Sequence, residues 1–413
     1  MAFKGPKFML RNNGIIPSVM FHSVGLEGHP WVWSHISERL DLFEKKLKAI
    51  KAAGFYTIDW YQLYNCMGGK KKLEPNAVFL TFDDGYLDNW CLVFPLLKKY
   101  QLKATIFVNP EFIDPRQDVR LTLEDVWNDR LTFDELDTVG FLSWPELRAM
   151  ESSGLVDIQS HSLSHTWFFS SPNLVDYHRH QGIYQYPWMS WNLKPERKPY
   201  YLNENQKNWI DEGFPILQHE KSLVVRRFMP DPAAMVKIND FIVSKGVEVF
   251  HKKDNWLKET NDFIENDLGG LDGVFETDAE RKERIYSELS QSKLILEKGL
   301  HKTVDYICWP GGGNDSTVHE LAREAGYKSW TLGSRDNSNH RNRFNIGPNH
   351  IKRIGSGSEV KYKGNSIGQG GAVYFLLMLL AHQDSKFYHF CLRVYIAMRL
   401  LGNKFIPGAY NEG

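Results

Sequence analysis

The stretch Val78–Tyr86, V-F-L-T-F-D-D-G-Y, narrows the folds open to this chain more than any other. Val78 to Phe82 are β-branched, aromatic or aliphatic and carry no charge, which suits a strand buried on both faces, as in a parallel sheet. The run stops at Asp83 and Asp84, two carboxylates that a sheet interior would not hold without partners. Neighbouring strand positions point to opposite faces, so both acids can serve one site only where the strand has ended. Gly85 supplies the backbone freedom for that ending. The stretch therefore predicts a pair of acids at the carboxyl end of a buried strand, where α/β barrels and open sheets keep their active sites. Read alone, the same residues serve equally well as a loop whose aspartates cap the next helix.

The surrounding chain alternates strand and helix. Ile15–Val24 reads as a first strand with His22 near its end, and Phe43–Ala53 as an amphipathic helix closed by Gly54. Phe55–Ile58 is a short strand; after the Val78 strand come a helix over Asn89–Tyr100 and a buried strand, Ala104–Val108. Ser143 and Glu146 form a capping box for the helix before the strand Val156–Gln159, which runs directly into Ser160-His161-Ser162-Leu163-Ser164-His165. This regular alternation argues for a parallel α/β architecture.

From Thr166 to about Glu276 the pattern breaks, with Trp188, Trp191, Tyr200, Tyr201 and Trp209 set among prolines and charges and weak helical signals over Pro232–Lys245. A segment this long is no ordinary loop and is expected to cover the mouth of the barrel or form a subdomain. Alternation resumes with a capped helix from Thr277 to Lys298, a strand Val304–Trp309 ending in Pro310-Gly311-Gly312-Gly313, a helix Ser316–Ala325 and a strand Lys328–Leu332, with Ile351–Ile354 as the last. The expected division is thus a barrel over 1–165 and 277–355, an insertion over 166–276, and a flexible Gly- and Ser-rich linker with an amphipathic helical tail over 356–413. Such a tail packs on the barrel, meets a partner or lies on a membrane surface.

Composition excludes several classes. Lys plus Arg equals Asp plus Glu at 50 each, so charge gives no reason to expect nucleic acid as a partner. The four cysteines, Cys66, Cys91, Cys308 and Cys391, are widely spaced, as suits reduced thiols rather than a disulfide framework. Met1–Arg11 lacks the apolar core of a signal peptide, and the longest apolar run, Phe375–Ala381, falls short of a membrane span. The expected location is the cytoplasm, with peripheral membrane contact through the tail as an option.

His161 and His165, four apart, put both imidazoles on one side of a helical turn or tight loop, and two His with one carboxylate are a familiar set for a catalytic divalent metal. Both this pair and Asp83-Asp84 end buried strands, a sharper coincidence than either alone. A zincin motif is excluded because Ser162 stands where the Glu would be. No nucleophile elbow or phosphate loop is present.

T-F-D-D-G-Y (Thr81–Tyr86) followed by H-S-L-S-H (His161–His165) resembles the first two motifs of the polysaccharide deacetylase family, the NodB homology domain of carbohydrate esterase family 4. The flanks M-F-H-S-V, L-K-A-T-I-F-V and S-W-P-E-L agree, and W-P-G-G (Trp309–Gly312) sits at the third motif; the likeness runs from Gly14 to Ile354. The resemblance implies a distorted (β/α)7 barrel holding one divalent metal, zinc first and cobalt, nickel, manganese or iron otherwise. It implies Asp84, His161 and His165 as metal ligands and Asp83 as catalytic base, with a backbone N–H near Pro310-Gly311 helping to hold the oxyanion. His22, Tyr86, Trp309, Pro310 and Gly311 are the implied substrate-lining residues. Cys308 stands where the family has an Arg and Gly311 where it has an aromatic; the late Leu-x-His has no match, leaving His340, His350 and Arg353 as candidates for the general acid. The expected activity is metal-dependent removal of an N-acetyl group from an amino sugar in a polysaccharide or a lipid- or nucleotide-linked precursor. Deformylation or another amide hydrolysis on the same fold, and a carbohydrate-binding protein without catalysis, are the alternatives.

Overall fold

A computed structural model describes residues 14–26, 36–180, 186–332, 341–383 and 385–405. The central strand, Ala77–Phe82, is buried along its whole length. Val78, Leu80 and Phe82 face one hydrophobic cluster, together with Ile106, Ile158 and the helix residues Phe43, Leu47 and Leu289. Phe79 faces a second cluster with Phe107, Tyr306 and Ile351. An apolar run without alternation is what a strand needs when helices cover one face and the barrel interior lies on the other.

Ala77–Phe82 pairs in parallel with Ser18–Phe21, with Ala104–Val108 and, along its first half, with Tyr56–Ile58. The sheet continues through Val156–Ser160, Tyr306–Ile307 and Ser329–Thr331 to His350–Ile351 at one end, and beyond Ser18–Phe21 to Ile354–Gly355 at the other. Every pairing in it is parallel. Only Lys352 and Arg353 separate the two end strands in the chain, so the sheet must curl until its edges stand side by side. The single last strand expected over Ile351–Ile354 is corrected to two strands of two residues each, one on either side of this seam. With them the sheet has nine strands among the described residues where the resemblance implied seven.

The expected Asn89–Tyr100 helix opens with a wide turn over Asn89–Val93 before the α-helix Phe94–Tyr100. Pro95 brings no amide to the ladder there, so the hydrogen bonds of the first turn are redistributed. The long helix Asp278–Leu300 begins at a capping box of Thr277 with Glu280, as the sequence predicts.

Within 166–276, the antiparallel strands Trp167–Tyr177 and Pro215–Lys221 pack with the helices Pro232–Ser244 and Trp256–Asn266 around Leu174, Tyr177, Leu217, Met235, Ile238 and Phe250. A further cluster joins Trp188, Trp191 and Tyr201 of this segment to Tyr86, Phe112 and Phe141 of the barrel. Residues 356–371, expected as a flexible linker, instead carry a hairpin of Glu359–Tyr362 and Asn365–Gln369. Its two-residue turn is Lys363-Gly364, both with positive φ, the backbone a tight hairpin requires. The helix Ala372–His382 buries Phe375, Leu379 and Leu380 in the main core, and the helix Lys386–Phe405 packs on it. No described helix is long and apolar enough to cross a membrane.

Candidate metal centre and active site

The strand ends where left-handed backbone begins. Asp84 has φ +73° and Gly85 φ +67°, and a Cβ on Gly85 would lie 2.8 Å from Val108 Cγ1. Glycine is therefore required twice over, by the backbone and by the neighbouring strand. Asp84, with its side chain, adopts the same region at a cost the fold must cover, as happens at functional sites. This turn separates the two carboxylates: Asp83 stays inside the barrel rim and Asp84 swings toward the histidines.

The tight loop after Val156–Ser160 does the same for His161 and His165, with positive φ at Ser162 (+63°) and His165 (+45°). Side chains from other segments hold it. Glu288, from the helix Asp278–Leu300, accepts from the amides of Leu163 (3.1 Å) and Ser164 (2.8 Å) and from the Ser164 hydroxyl (2.8 Å). Lys198, buried in the 166–276 segment, donates to the Ser164 carbonyl at 2.7 Å and to Glu111 at 2.5 Å. Asn109 donates to the carbonyls of His161 and Ser162.

Asp84, His161 and His165 come together: their ligand atoms lie within 4.8 Å of one another. The Nε2 atoms of His161 and His165 stand 3.2 and 3.3 Å from the same Asp84 oxygen. His161 Nδ1 meets the Cys308 carbonyl at 2.9 Å, an oxygen that can only accept, so Nδ1 carries a proton and Nε2 is the ring atom turned toward Asp84. Burial would push the Asp84 carboxyl up, but the two imidazoles reverse this and hold it well below the usual carboxylate range. Two imidazoles and one carboxylate with room for water fit a catalytic divalent metal.

A second group, Asp83, His161 and Cys308, also brings its ligand atoms within 4.8 Å and shares His161 with the first. Here a cation is already present. Arg353, from the two-residue seam, donates to both Asp83 oxygens, at 2.5 and 2.8 Å, and lies 3.0 Å from Cys308 Sγ. Burial would raise the Asp83 carboxyl, yet the guanidinium brings it below its ordinary value. Arg353 is itself held firmly protonated by Asp83 despite its burial. Arg353 is thus no general acid, contrary to one of the options raised by the sequence, because an arginine in such a pair does not give up its proton. The guanidinium occupies the side of Asp83 where the resemblance called for an Arg at position 308.

The implied substrate-lining residues divide. His22 stands at the rim with a quarter of its side chain exposed and Nε2 3.9 Å from Asp83. Tyr86 lines a pocket with Asp84, His165, Phe112, Phe141 and Trp191. Trp309 is corrected: its side chain is buried against His319 and Trp330, in the layer between sheet and helix. Pro310 is buried, and the amides of Gly312 and Gly313 are bound within their own turn, to Trp309 and Pro310. Gly311 has φ +55°, and a Cβ there would lie 2.7 Å from Lys221 Cε, so the stem of Lys221 crosses the place of the missing aromatic. His350 packs against His319 and Trp330, away from the acids, and His340 lies outside the described residues.

The polysaccharide deacetylase family model matches residues 70–208 and 273–330. The poly-β-1,6-N-acetyl-D-glucosamine N-deacetylase of Escherichia coli K12 is 26% identical over 151 residues, 37% of this chain and 21% of that protein. A Bacillus subtilis protein provisionally named polysaccharide deacetylase YxkH is 35% identical over 95 residues, 22% of this chain and 31% of that one. The matched region thus spans between a fifth and a third of these relatives' length. Among solved structures, the BpsB deacetylase domain from Bordetella bronchiseptica superposes with a TM-score of 0.49 at 20% identity, over 83% of this chain and 97% of that one.

Proposed function

The chain belongs to the polysaccharide deacetylase family, and on that premise we propose that it hydrolyses the N-acetyl group of an amino sugar, releasing acetate and a free amine. The observation that carries the reading is the convergence of Asp84, His161 and His165 beside a separately held carboxylate, Asp83. Asp84, His161 and His165 are the ligands in this reading, and Arg353 argues for that choice over the group containing Cys308, since a second cation would face the guanidinium there. A divalent metal bound by them supplies a polarised carbonyl and a water acidic enough to attack near neutral pH.

The protein's own groups do the rest. Asp83, kept ionised and oriented by Arg353, takes the proton from the water whose oxygen attacks the acetyl carbon. When the carbon–nitrogen bond breaks, the leaving amine takes a proton. In this reading His22 delivers that proton: its Nε2 lies 3.9 Å from Asp83 and can pass on the proton that Asp83 took from the water, in the role for which the sequence has no Leu-x-His. The aromatic wall of Tyr86, Phe112, Phe141 and Trp191 next to Asp84 and His165 suits the methyl of an acetyl group better than the bare hydrogen of a formyl group.

Acetate release from N-acetylglucosamine polymers and from lipid- and nucleotide-linked N-acetyl sugars, measured with and without chelator, tests this. Chelator-sensitive acetate release supports it; formate release from N-formyl analogues in preference to acetate replaces it with deformylation, and no release from any of them favours the binding protein.

A further inference from the structure

The long helix Lys386–Phe405 carries an apolar outward face. Phe387 is 64% exposed, Phe390 65%, Met398 59% and Leu401 56%, and Val394 is exposed between them. Their spacing of three and four residues lays them in a single stripe along the helix, about 20 Å long at 1.5 Å per residue. The opposite face is accounted for: Tyr388 packs against the main core, Tyr395 stacks on Tyr374, and Arg399 turns inward to the Gln369 carbonyl at 2.9 Å. The outward stripe therefore covers no part of the fold among the described residues.

Charge is arranged just as unevenly. The whole chain balances at 50 basic and 50 acidic residues, yet residues 386–405 hold Lys386, Arg393, Arg399 and Lys404 and no acid. Lys386, His389 and Arg393 are all exposed and, again three and four apart, form a basic edge beside the stripe. An apolar stripe with a basic edge is complementary to one kind of surface, the interface of a bilayer with anionic headgroups: phenylalanines enter the acyl boundary while the cations remain at the phosphates. A second copy of this chain fits less well, because a two-fold pairing through Val394 would bring the two Arg393 side chains together in a like-charge contact.

We infer that Lys386–Phe405 is a surface for docking onto an anionic lipid membrane, lying in the interface without crossing it. The helix is fixed to the barrel through Ala372–His382, whose Phe375 ring stands 6.2 Å from that of Phe21, so docking would hold the catalytic domain at the membrane as one body. The inference is independent of which acyl group is removed.

Sedimentation of the full chain with vesicles of phosphatidylcholine alone, and of phosphatidylcholine and phosphatidylglycerol in equal parts, tests it. Binding is expected to the anionic vesicles, weakening with salt. Lys386→Ser with Arg393→Ser is expected to weaken it by roughly 25-fold, about fivefold for each basic residue removed. Phe387→Ser with Phe390→Ser is expected to abolish it. All four positions are exposed, so an unchanged melting temperature identifies variants that still fold. Equal binding to both vesicle types, none to either, or wild-type binding by the folded Phe387→Ser, Phe390→Ser variant would overturn the inference. So would a dimer in solution that the same pair of substitutions dissociates, since a second copy would then own the face.

Discussion

Arg353 and Asp83 stand 270 positions apart in the chain, and the guanidinium of one meets both carboxylate oxygens of the other, at 2.5 and 2.8 Å. A bidentate fork of this kind fixes the rotation of the carboxylate as well as its charge. Lysine keeps the charge and loses the fork. Arg353→Lys is therefore expected to lower kcat by on the order of 100-fold through misplacement of Asp83, with the metal content unchanged. Arg353→Met leaves Asp83 buried without a counter-charge and should also cost about 3–5 kcal/mol of stability. Turnover, bound metal and urea unfolding on the same preparations separate these effects. Equal loss of metal and turnover in Arg353→Lys would show that Arg353 acts on the ligand group and not on Asp83.

Asp83 and Asp84 are adjacent in sequence but diverge at the left-handed turn, and their substitutions should separate accordingly. Asp84→Ala and His165→Ala are expected to lose tight metal binding. Asp83→Asn preserves size and should keep the metal while turnover falls by about 100- to 10,000-fold, the range for removal of a general base. Elemental analysis beside an acetate-release assay reads both. Full metal occupancy in the Asp84 and His165 variants would remove them as ligands.

How much of this was open to sequence reading depends on how far apart the partners lie. Val78–Phe82 announced a doubly buried strand because alternation of apolar residues fails there, and the two clusters on either side of Leu80 and Phe79 are the physical cause. The acids and the H-x-x-x-H pair were legible because each sits within a few residues of the strand that presents it. Arg353 is visible in the sequence only as a polar candidate for the general acid, not as the partner of Asp83. Its contact with Asp83 arises because the sheet curls until its two edges meet at Lys352-Arg353, a closure that no local pattern encodes. The same holds for Glu288 and Lys198, which support the histidine loop from 124 and 34 residues away. Trp309 shows the opposite: it lies within a motif, yet its buried indole packs beside Trp330. The hairpin after Ser356 was obscured by glycines that its turns require.

Glu288 offers a test of the loop that carries His165. One of its carboxylate oxygens takes three hydrogen bonds from Leu163 and Ser164, holding a backbone with positive φ at both Ser162 and His165. Glu288→Ala frees that loop and should weaken metal binding by about 10- to 100-fold, as loss of outer-shell support does elsewhere. Glu288→Gln keeps an acceptor oxygen and should recover part of the loss. Competition with a chromophoric chelator measures both. An unchanged metal affinity in Glu288→Ala would mean that the loop holds its shape without this contact.

Asp88 predicts a pH dependence of stability opposite to that of a paired surface carboxylate. It is buried, accepts from Ser23 at 2.6 Å and Asn89 at 2.7 Å, and has no cation among these partners. Burial raises its carboxyl from 3.8 to about 7. Below about pH 4 both the native and the unfolded chain keep this proton. Between about pH 4 and about pH 7 only the native chain keeps it, so stability falls as pH rises. Above that window both are ionised and the native state bears the whole penalty, on the order of 4 kcal/mol for a shift of this size. Asp88→Asn is close in shape, retains an acceptor oxygen for Asn89 or Ser23 and cannot ionise. Urea unfolding at about pH 5 and about pH 8 should therefore show wild type losing more stability than Asp88→Asn between the two conditions. Parallel losses would show that Asp88 stays ionised in the fold and that Ser23, Asn89 and the Val24 amide alone compensate its burial.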